Sequence, residues 1–204
     1  MKELKKEDLQ ITEQIHHFVK EHVEAGDICI DATAGCGNDT LFLCELTGSR
    51  GEVMAFDIQP QALEKTATLL AEHQYMAELV LDSHENMADY MGEASVACIM
   101  FNFGYLPGGD HAMMTKADTS VKAIEAGLSL LKKGGIMTLC LYSGSDSQRE
   151  EKDAVLAMLK ELDSKQYLVI TSCYYNRPNH PPMPVFIQKL EGKDNSCISG
   201  FGLI

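Results

Sequence analysis

No two cysteines of this chain stand at Cys-x-x-Cys spacing, although there are 7 of them. The number is odd, and Cys29, Cys98, Cys140 and Cys173 fall inside strand-like runs, where a free thiol behaves as a small hydrophobe. A zinc site and a disulfide framework are excluded on this pattern, and a reduced, cytoplasmic setting is expected. Long apolar runs are missing too, since none approaches the ~20 residues of a membrane helix. The stretch Met1 to Asp8 has no apolar core of the signal-peptide kind. Neither a membrane nor a secretory route is therefore expected. Basic residues are scarce: 17 Lys and Arg stand against 30 Asp and Glu, for a net charge of −13. Such a chain repels polyphosphates at long range, which disfavours generic nucleic-acid binding. Any RNA partner must be met by a local basic patch. No internal repeat is visible.

What is present suits one domain. The chain has 204 residues, 45% of them hydrophobic and 23% charged, enough to bury a full core. A single domain is expected over residues 1–191, with an N-terminal helix inside 1–26 and a loose or peripheral tail over 192–204. Ile11, Ile15, Phe18 and Val19 recur at helical spacing within a helix expected from Leu4 to Glu24. Strands are expected at Ile28–Ala32, Glu52–Asp57, Ala77–Leu81, Ala94–Phe101, Ile136–Tyr142, Tyr167–Tyr174 and Val185–Lys189. Helices fall between them at Thr40–Leu46, Pro60–His73, Glu85–Tyr90, Thr119–Leu131 and Glu150–Leu162. The Lys132-Lys133-Gly134-Gly135 stretch reads as a helix end. Alternation of strand and helix implies an α/β fold with a mostly parallel, seven-stranded sheet covered by helices on both faces. The last two strands lack a helix between them, so they are expected to form an antiparallel C-terminal hairpin at one edge.

The first strand runs into Asp31-Ala-Thr33-Ala-Gly35-Cys-Gly37-Asn38-Asp39-Thr40 and then into a helix. Glycines at 35 and 37 open a path for a ligand against the backbone, in the strand–loop–helix setting where doubly wound sheets bind nucleotides. Asp57, with Gln59 beyond it, closes the second strand about 20 residues on, where a carboxylate accepts the hydroxyls of a ribose. A dinucleotide such as NAD wants a third glycine, and Thr40 stands there. An acid at Asp31 repels pyrophosphate but suits the ammonium of an amino acid, so S-adenosylmethionine is favoured over NAD. Asp82, Ser83 and His84 end the third strand at the same edge. They read either as adenine contacts or as helix starters.

The fourth strand ends in Asn102-Phe-Gly104-Tyr105-Leu-Pro-Gly108-Gly109-Asp110. Asn102 offers an amide acceptor and donor at a fixed point, Gly104 lets a ligand approach the backbone, and Tyr105 supplies a flat face. The same residue types also make an ordinary strand-to-loop turn.

An Asp-led Gly-x-Gly loop, an acid after the second strand and an Asn after the fourth resemble the Rossmann-like class I methyltransferases. Four motifs in order look like one family within that class: Asp31 to Leu43, Ala55-Phe-Asp-Ile-Gln59, Asn102 to Asp110, and Asn176-Arg-Pro-Asn-His-Pro-Pro182. These are the bacterial tRNA 5-aminomethyl-2-thiouridine methyltransferases, long labelled rRNA methylases, and the resemblance spans roughly residues 9 to 190. It implies an S-adenosylmethionine-dependent N-methyltransferase that makes 5-methylaminomethyl-2-thiouridine at the tRNA wobble position, working as a homodimer. The cofactor set then comprises Asp31, Thr33, Gly35, Gly37, Asn38, Asp39, Thr40, Asp57, Gln59, Asp82, Ser83, His84, Asn102 and Gly104. Asn102, Tyr105 and Tyr142 are the expected catalytic residues. Tyr105, Gly108, Gly109, Asp110, Lys116, Arg149, Asn176, Arg177 and Asn179 are expected to meet substrate, the unpaired bases of a tRNA anticodon loop. Lys152 lies in the same region. Asp110, Tyr142 and His180 are the open candidates for a general base. One position departs from the family pattern: Ser145 stands where a His is usual. Methylation of rRNA or of a small amine, a binding module without activity, and an NAD enzyme are the rival readings.

Overall fold

The structure, a computed structural model, describes residues 10–103, 115–178 and 181–191. Within them α1 (Ile11–Lys20), β1 (Ile28–Asp31), α2 (Asn38–Thr47), β2 (Glu52–Asp57), α3 (Pro60–Glu72) and β3 (Glu78–Leu81) come first. A 3-10 turn over His84–Asp89 leads to β4 (Val96–Asn102), α4 (Ala117–Leu130), β5 (Leu131–Leu141), α5 (Asp146–Lys160), β6 (Tyr167–Thr171) and β7 (Met183–Lys189). The sheet order is β3-β2-β1-β4-β5-β7-β6. β1 to β5 pair in parallel, while β7 runs antiparallel to both β5 and β6. This is the expected mostly parallel sheet with an antiparallel terminal hairpin.

The central strands are apolar on both faces because helices cover both. Cys29 pairs with Cys98 and Ile30 with Ile99, so alternate residues of each strand enter opposite cores. Ile30, Ile99, Phe101 and Met137 pack with Ile124 and Leu128 of α4 and Val155 and Leu159 of α5. Cys29, Cys98, Met100 and Ile136 pack with Ile15 and Val19 of α1, Leu43 of α2 and Leu70 of α3. Phe18 of α1 also meets Phe186 of β7, ring centres 4.6 Å apart. The apolar stripe of α1 therefore seats it across the β4–β5–β7 part of the sheet, beside the ligand edge.

Several boundaries differ from expectation, each for a local reason. Leu131 pairs with Val96, so β5 begins there and the Lys-Lys-Gly-Gly stretch bends the strand, with Gly134 at φ +77, instead of ending α4. β6 ends at Thr171, which leaves Cys173 exposed beyond the sheet and not inside a strand. α5 starts earlier, at Asp146, because Ser145 caps it. The short helix expected at Glu85–Tyr90 is a 3-10 turn. Residues 1–9 and 192–204, which hold the start of the expected first helix and the tail, lie outside the described residues. Among the described residues no helix is long and apolar enough to cross a membrane, and no group of three or more His, Cys, Asp or Glu is placed to hold a metal.

Candidate active site

The chain lays β2 and β3 on one side of β1 and then crosses to lay β4 on the other. A crevice opens at the carboxyl ends of β1 and β4, where strand order reverses, and ligands of doubly wound sheets bind in such crevices.

The loop from β1 into α2 is tied down from below. Asp31 is fully buried. The Thr40 hydroxyl donates to its Oδ2 at 2.6 Å and the Thr33 N–H to its Oδ1 at 3.0 Å. Its direct bonds thus join the two ends of the loop, and the carboxyl lies beneath the crevice, not at its open side. Burial pushes the Asp31 carboxyl up to about 7, Asp39 and Asp57 add to the shift, and the bonds from Thr40 and Thr33 oppose it. Gly35 and Gly37 both have positive φ, +54 and +84. At Gly37 an added Cβ would stand 2.9 Å from the Cα of Thr66, so this glycine lets α2 start hard against α3. Its observed task is packing. Asn38 opens α2 exposed to solvent, with Asp39 half-buried beside it.

Asp57 ends β2 half-buried. Its Oδ2 accepts from the Gly35 N–H at 3.0 Å and its Oδ1 from the Gln59 N–H at 2.9 Å. Ile58 between them is 53% exposed, an apolar wall beside the carboxylate. At the end of β3, Asp82 accepts from the Ser83 N–H (2.7 Å), the Asn86 amide (2.9 Å) and the Tyr90 hydroxyl (2.9 Å). The Asn86 bond leads in holding its carboxyl below the usual range. These bonds tie the end of β3 to the 3-10 turn and to Tyr90 beyond it. His84 is buried against Phe101 and Phe103. Its Nδ1 lies 3.1 Å from the Ala32 carbonyl oxygen, which only accepts, so Nδ1 carries the proton. Burial lowers its tendency to charge, and Nε2 keeps a lone pair with no partner among the described residues.

This donor set fits S-adenosylmethionine, which carries a ribose diol, an adenine, an ammonium and a carboxylate but no phosphate. Asp57 suits the diol. The N–H groups at the start of α2 suit a carboxylate. Asp39, with Asp31 behind it, supplies negative potential for an ammonium. A pyrophosphate would meet three carboxylates here.

The second half of the edge centres on Asn102, the last residue of β4. Its N–H donates to Thr33 Oγ1 at 2.8 Å, and its Oδ1 accepts from the Tyr142 hydroxyl at 3.1 Å. Asn102 and Tyr142, 40 positions apart, are thereby brought together. Gly104, Tyr105, Gly108, Gly109, Asp110, Asn179 and His180 lie outside the described residues. Lys116 caps α4 and is exposed. Arg149 donates to the Ser143 carbonyl at 3.4 Å and pairs with the Asp146 carboxylate. The Arg177 guanidinium lies 4.8 Å from the Tyr174 ring centre, and the Tyr174 hydroxyl accepts from the Gln14 amide of α1 at 2.8 Å. Asn176 is exposed between them. Ser145 accepts from the Gln148 N–H at 3.3 Å, while Gln148 Oε1 takes the N–H groups of Gly144 and Ser145. The residue that departs from the family pattern thus closes a capping box on α5.

Sequence reasoning missed one part of the site. His16 of α1 shares a 2.7 Å hydrogen bond with Asp39 and lies flat on Phe42, ring centres 3.8 Å apart. His16 and Asp39 line a cleft that also holds Thr12, Asn102 and Thr138. No motif marks His16 in the chain. Only the seating of α1 beside α2 places it here.

Comparison with known proteins agrees with this geometry. Residues 53–188 match the protein family described as "Putative rRNA methylase". The chain is 34% identical over 187 residues to the chloroplastic tRNA (mnm(5)s(2)U34)-methyltransferase of Arabidopsis thaliana, covering 86% of this chain and 67% of that protein. A crystal structure described as a putative rRNA-methylase from Clostridium thermocellum superposes with a TM-score of 0.85 at 41% identity, covering 87% of this chain and 96% of that one. A putative methyltransferase from Streptococcus mutans, solved in complex with SAH, gives 0.81 at 37% identity, covering 89% and 98%. The chain belongs to the putative rRNA methylase family and carries the Rossmann-like fold of the S-adenosylmethionine-dependent methyltransferases.

Proposed function

We propose that this protein methylates the aminomethyl nitrogen on C5 of a 2-thiouridine at the tRNA wobble position, using S-adenosylmethionine. The observation that carries the reading is Asn102, a neutral amide held from both sides at the carboxyl end of β4. S-adenosylmethionine supplies, when bound, a methyl group on a sulfonium. The chain's task is to bring a nitrogen lone pair to that carbon, and positioning carries much of such a reaction. Thr33 fixes the backbone of Asn102. The Tyr142 hydroxyl occupies one lone pair of Oδ1 and holds the amide plane. The second lone pair is left to accept an N–H of the amine and aim its nitrogen. A carboxylate at this point would favour the ammonium form, which has no lone pair to give.

The Arabidopsis relative, whose printed name specifies a U34 tRNA substrate, supports the tRNA reading. In this reading Tyr105 stacks on the target base, and Gly108, Gly109, Asp110 and Asn179 line its path. Lys116, Arg149, Asn176 and Arg177 meet the anticodon loop. The homodimer belongs to the same proposal, and Leu168 and Ile170 of edge strand β6, 46% and 48% exposed, are apolar surface suited to it. The net charge of −13 favours a second reading, a small amine as acceptor. Purified protein is incubated with S-adenosylmethionine and tRNA carrying 5-aminomethyl-2-thiouridine, and nucleosides are read by mass spectrometry. Conversion to the methylaminomethyl nucleoside is expected. Transfer to a small amine but not to this tRNA would favour the second reading.

A further inference from the structure

An alkyl amine reaches this site largely as its ammonium and must lose a proton before it can attack. Of the earlier candidates for that task, Asp110 and His180 lie outside the described residues. Tyr142 donates its hydroxyl proton to Asn102. The cleft beside Asn102 offers another group. His16 lines it, as do Asp39, Asn102 and Thr138. The His16 Nε2 stands 2.7 Å from Asp39 Oδ1. A carboxylate only accepts, so Nε2 carries the proton and the lone pair of the neutral ring sits on Nδ1. No described residue bonds that Nδ1. Phe42, stacked at 3.8 Å with the planes 4° apart, fixes the ring. A second observation points to a polar guest, and the space, about 10 Å³, fits one water that can relay the proton between the amine and His16. Thr138, 1% exposed, has a buried hydroxyl with no partner among the described residues, and it lines the same cleft.

We propose that His16 is the proton acceptor for the amine, oriented and charge-balanced by Asp39 as a His–Asp pair. The inference rests on the amine reading given above. Nδ1 takes one proton from the acceptor ammonium, which leaves a nitrogen lone pair, and His16 later returns that proton to solvent. The nitrogen then forms its bond to the methyl carbon as the carbon–sulfur bond breaks and its electron pair stays on sulfur. A His between a carboxylate and a reacting group is a recurring arrangement for such proton transfer. Among the described residues the charged groups around His16 are few. Asp39 comes from α2, with Asp31 of β1 behind it, and Glu13 and Lys20 share its helix. Lys20 reaches over the Phe42 ring. The lining contributed by β4 and β5 is neutral in Asn102 and Thr138.

The test uses the full chain and tRNA carrying the 5-aminomethyl group, with kcat and KM measured from neutral to alkaline pH. H16Q is expected to lower kcat by ~10²-fold near neutrality. The loss should shrink as pH rises, because solvent then supplies the neutral amine. For H16Q the KM for S-adenosylmethionine should stay within ~3-fold, whereas D39N, which also takes a charge from the ammonium end of the cofactor site, should raise that KM as well as cost ~10-fold in kcat through misorientation of the ring. A cooperative thermal melt shows that each variant is folded. A loss of equal size at every pH, or a raised cofactor KM with kcat intact, makes His16 a clasp for α1 and overturns the proposal. Wild-type protein that fails on this tRNA overturns the amine reading itself, an outcome visible before any variant is measured.

Discussion

At the β1–β2 end of the ligand edge, all four carboxylate oxygens of Asp31 and Asp57 already accept bonds from the chain. At the β4–β5 end, Asn102 and Tyr142 hold each other beside a cleft that contains the Thr138 hydroxyl, which has no partner among the described residues. The first end is closed upon itself, with α2 seated against α3 through Gly37. The second is open, and its cations, Lys116, Arg149 and Arg177, project from separate elements. An invariant ligand rewards a preformed cradle, because no ordering cost is left for binding. An acceptor group is the variable part of a methyltransferase, and in this fold variation is housed in the segments after the strands.

The sharpest way to break the comparison is N102D. The carboxylate can still take the Tyr142 bond, yet it holds the amine as ammonium, so kcat should fall ~10²-fold while S-adenosylmethionine affinity changes less than ~3-fold. If cofactor affinity fell and kcat did not, Asn102 would belong to the closed end and the division would be wrong. A smaller effect is expected from D31N. The folded Asp31 carboxyl titrates at about 7, above its ordinary 3.8, so it binds its proton more tightly folded than unfolded. Its contribution is fully present below the unfolded value and is lost as pH rises through the folded one, at up to ~1.4 kcal/mol per pH unit. The melting temperature of D31N relative to wild type should therefore climb as pH is raised from acid to neutral. A constant difference would mean that Asp31 pays no burial cost at this end. R177E should have the smallest effect, a few-fold loss of tRNA affinity with the salt slope lowered by about 1. Unchanged affinity together with an unchanged slope would remove Arg177 from the open end.

Much of the closed end is legible in the chain. Ile28–Asp31 and Val96–Asn102 announce themselves as apolar runs, and Asp31, Gly35, Gly37 and Asp57 stand at the offsets a strand–loop–helix site demands. The meaning of single residues is less so. Asp31 reads as a ligand contact, and the chain itself bonds both of its carboxylate oxygens. Asp82 reads equally as contact or cap and accepts bonds from the Ser83 N–H, the Asn86 amide and the Tyr90 hydroxyl. Ser145 reads only as a departure from the family pattern, and it caps α5. In each case the residue type allows two partners, and only the neighbours brought by the fold choose between them.

By itself the sequence determined the strand and helix order, the mostly parallel sheet, the crevice loop and the family, because apolar periodicity, glycine placement and caps act over a few residues and survive any change in how layers are stacked. Only the tertiary structure decided that Thr33 bonds Asn102 across 69 positions and that His16 meets Asp39 across 23. Such bonds depend on how α1 seats against the sheet and on the register between β1 and β4. Those are set by the packing of two whole cores, and no local pattern of residues encodes them.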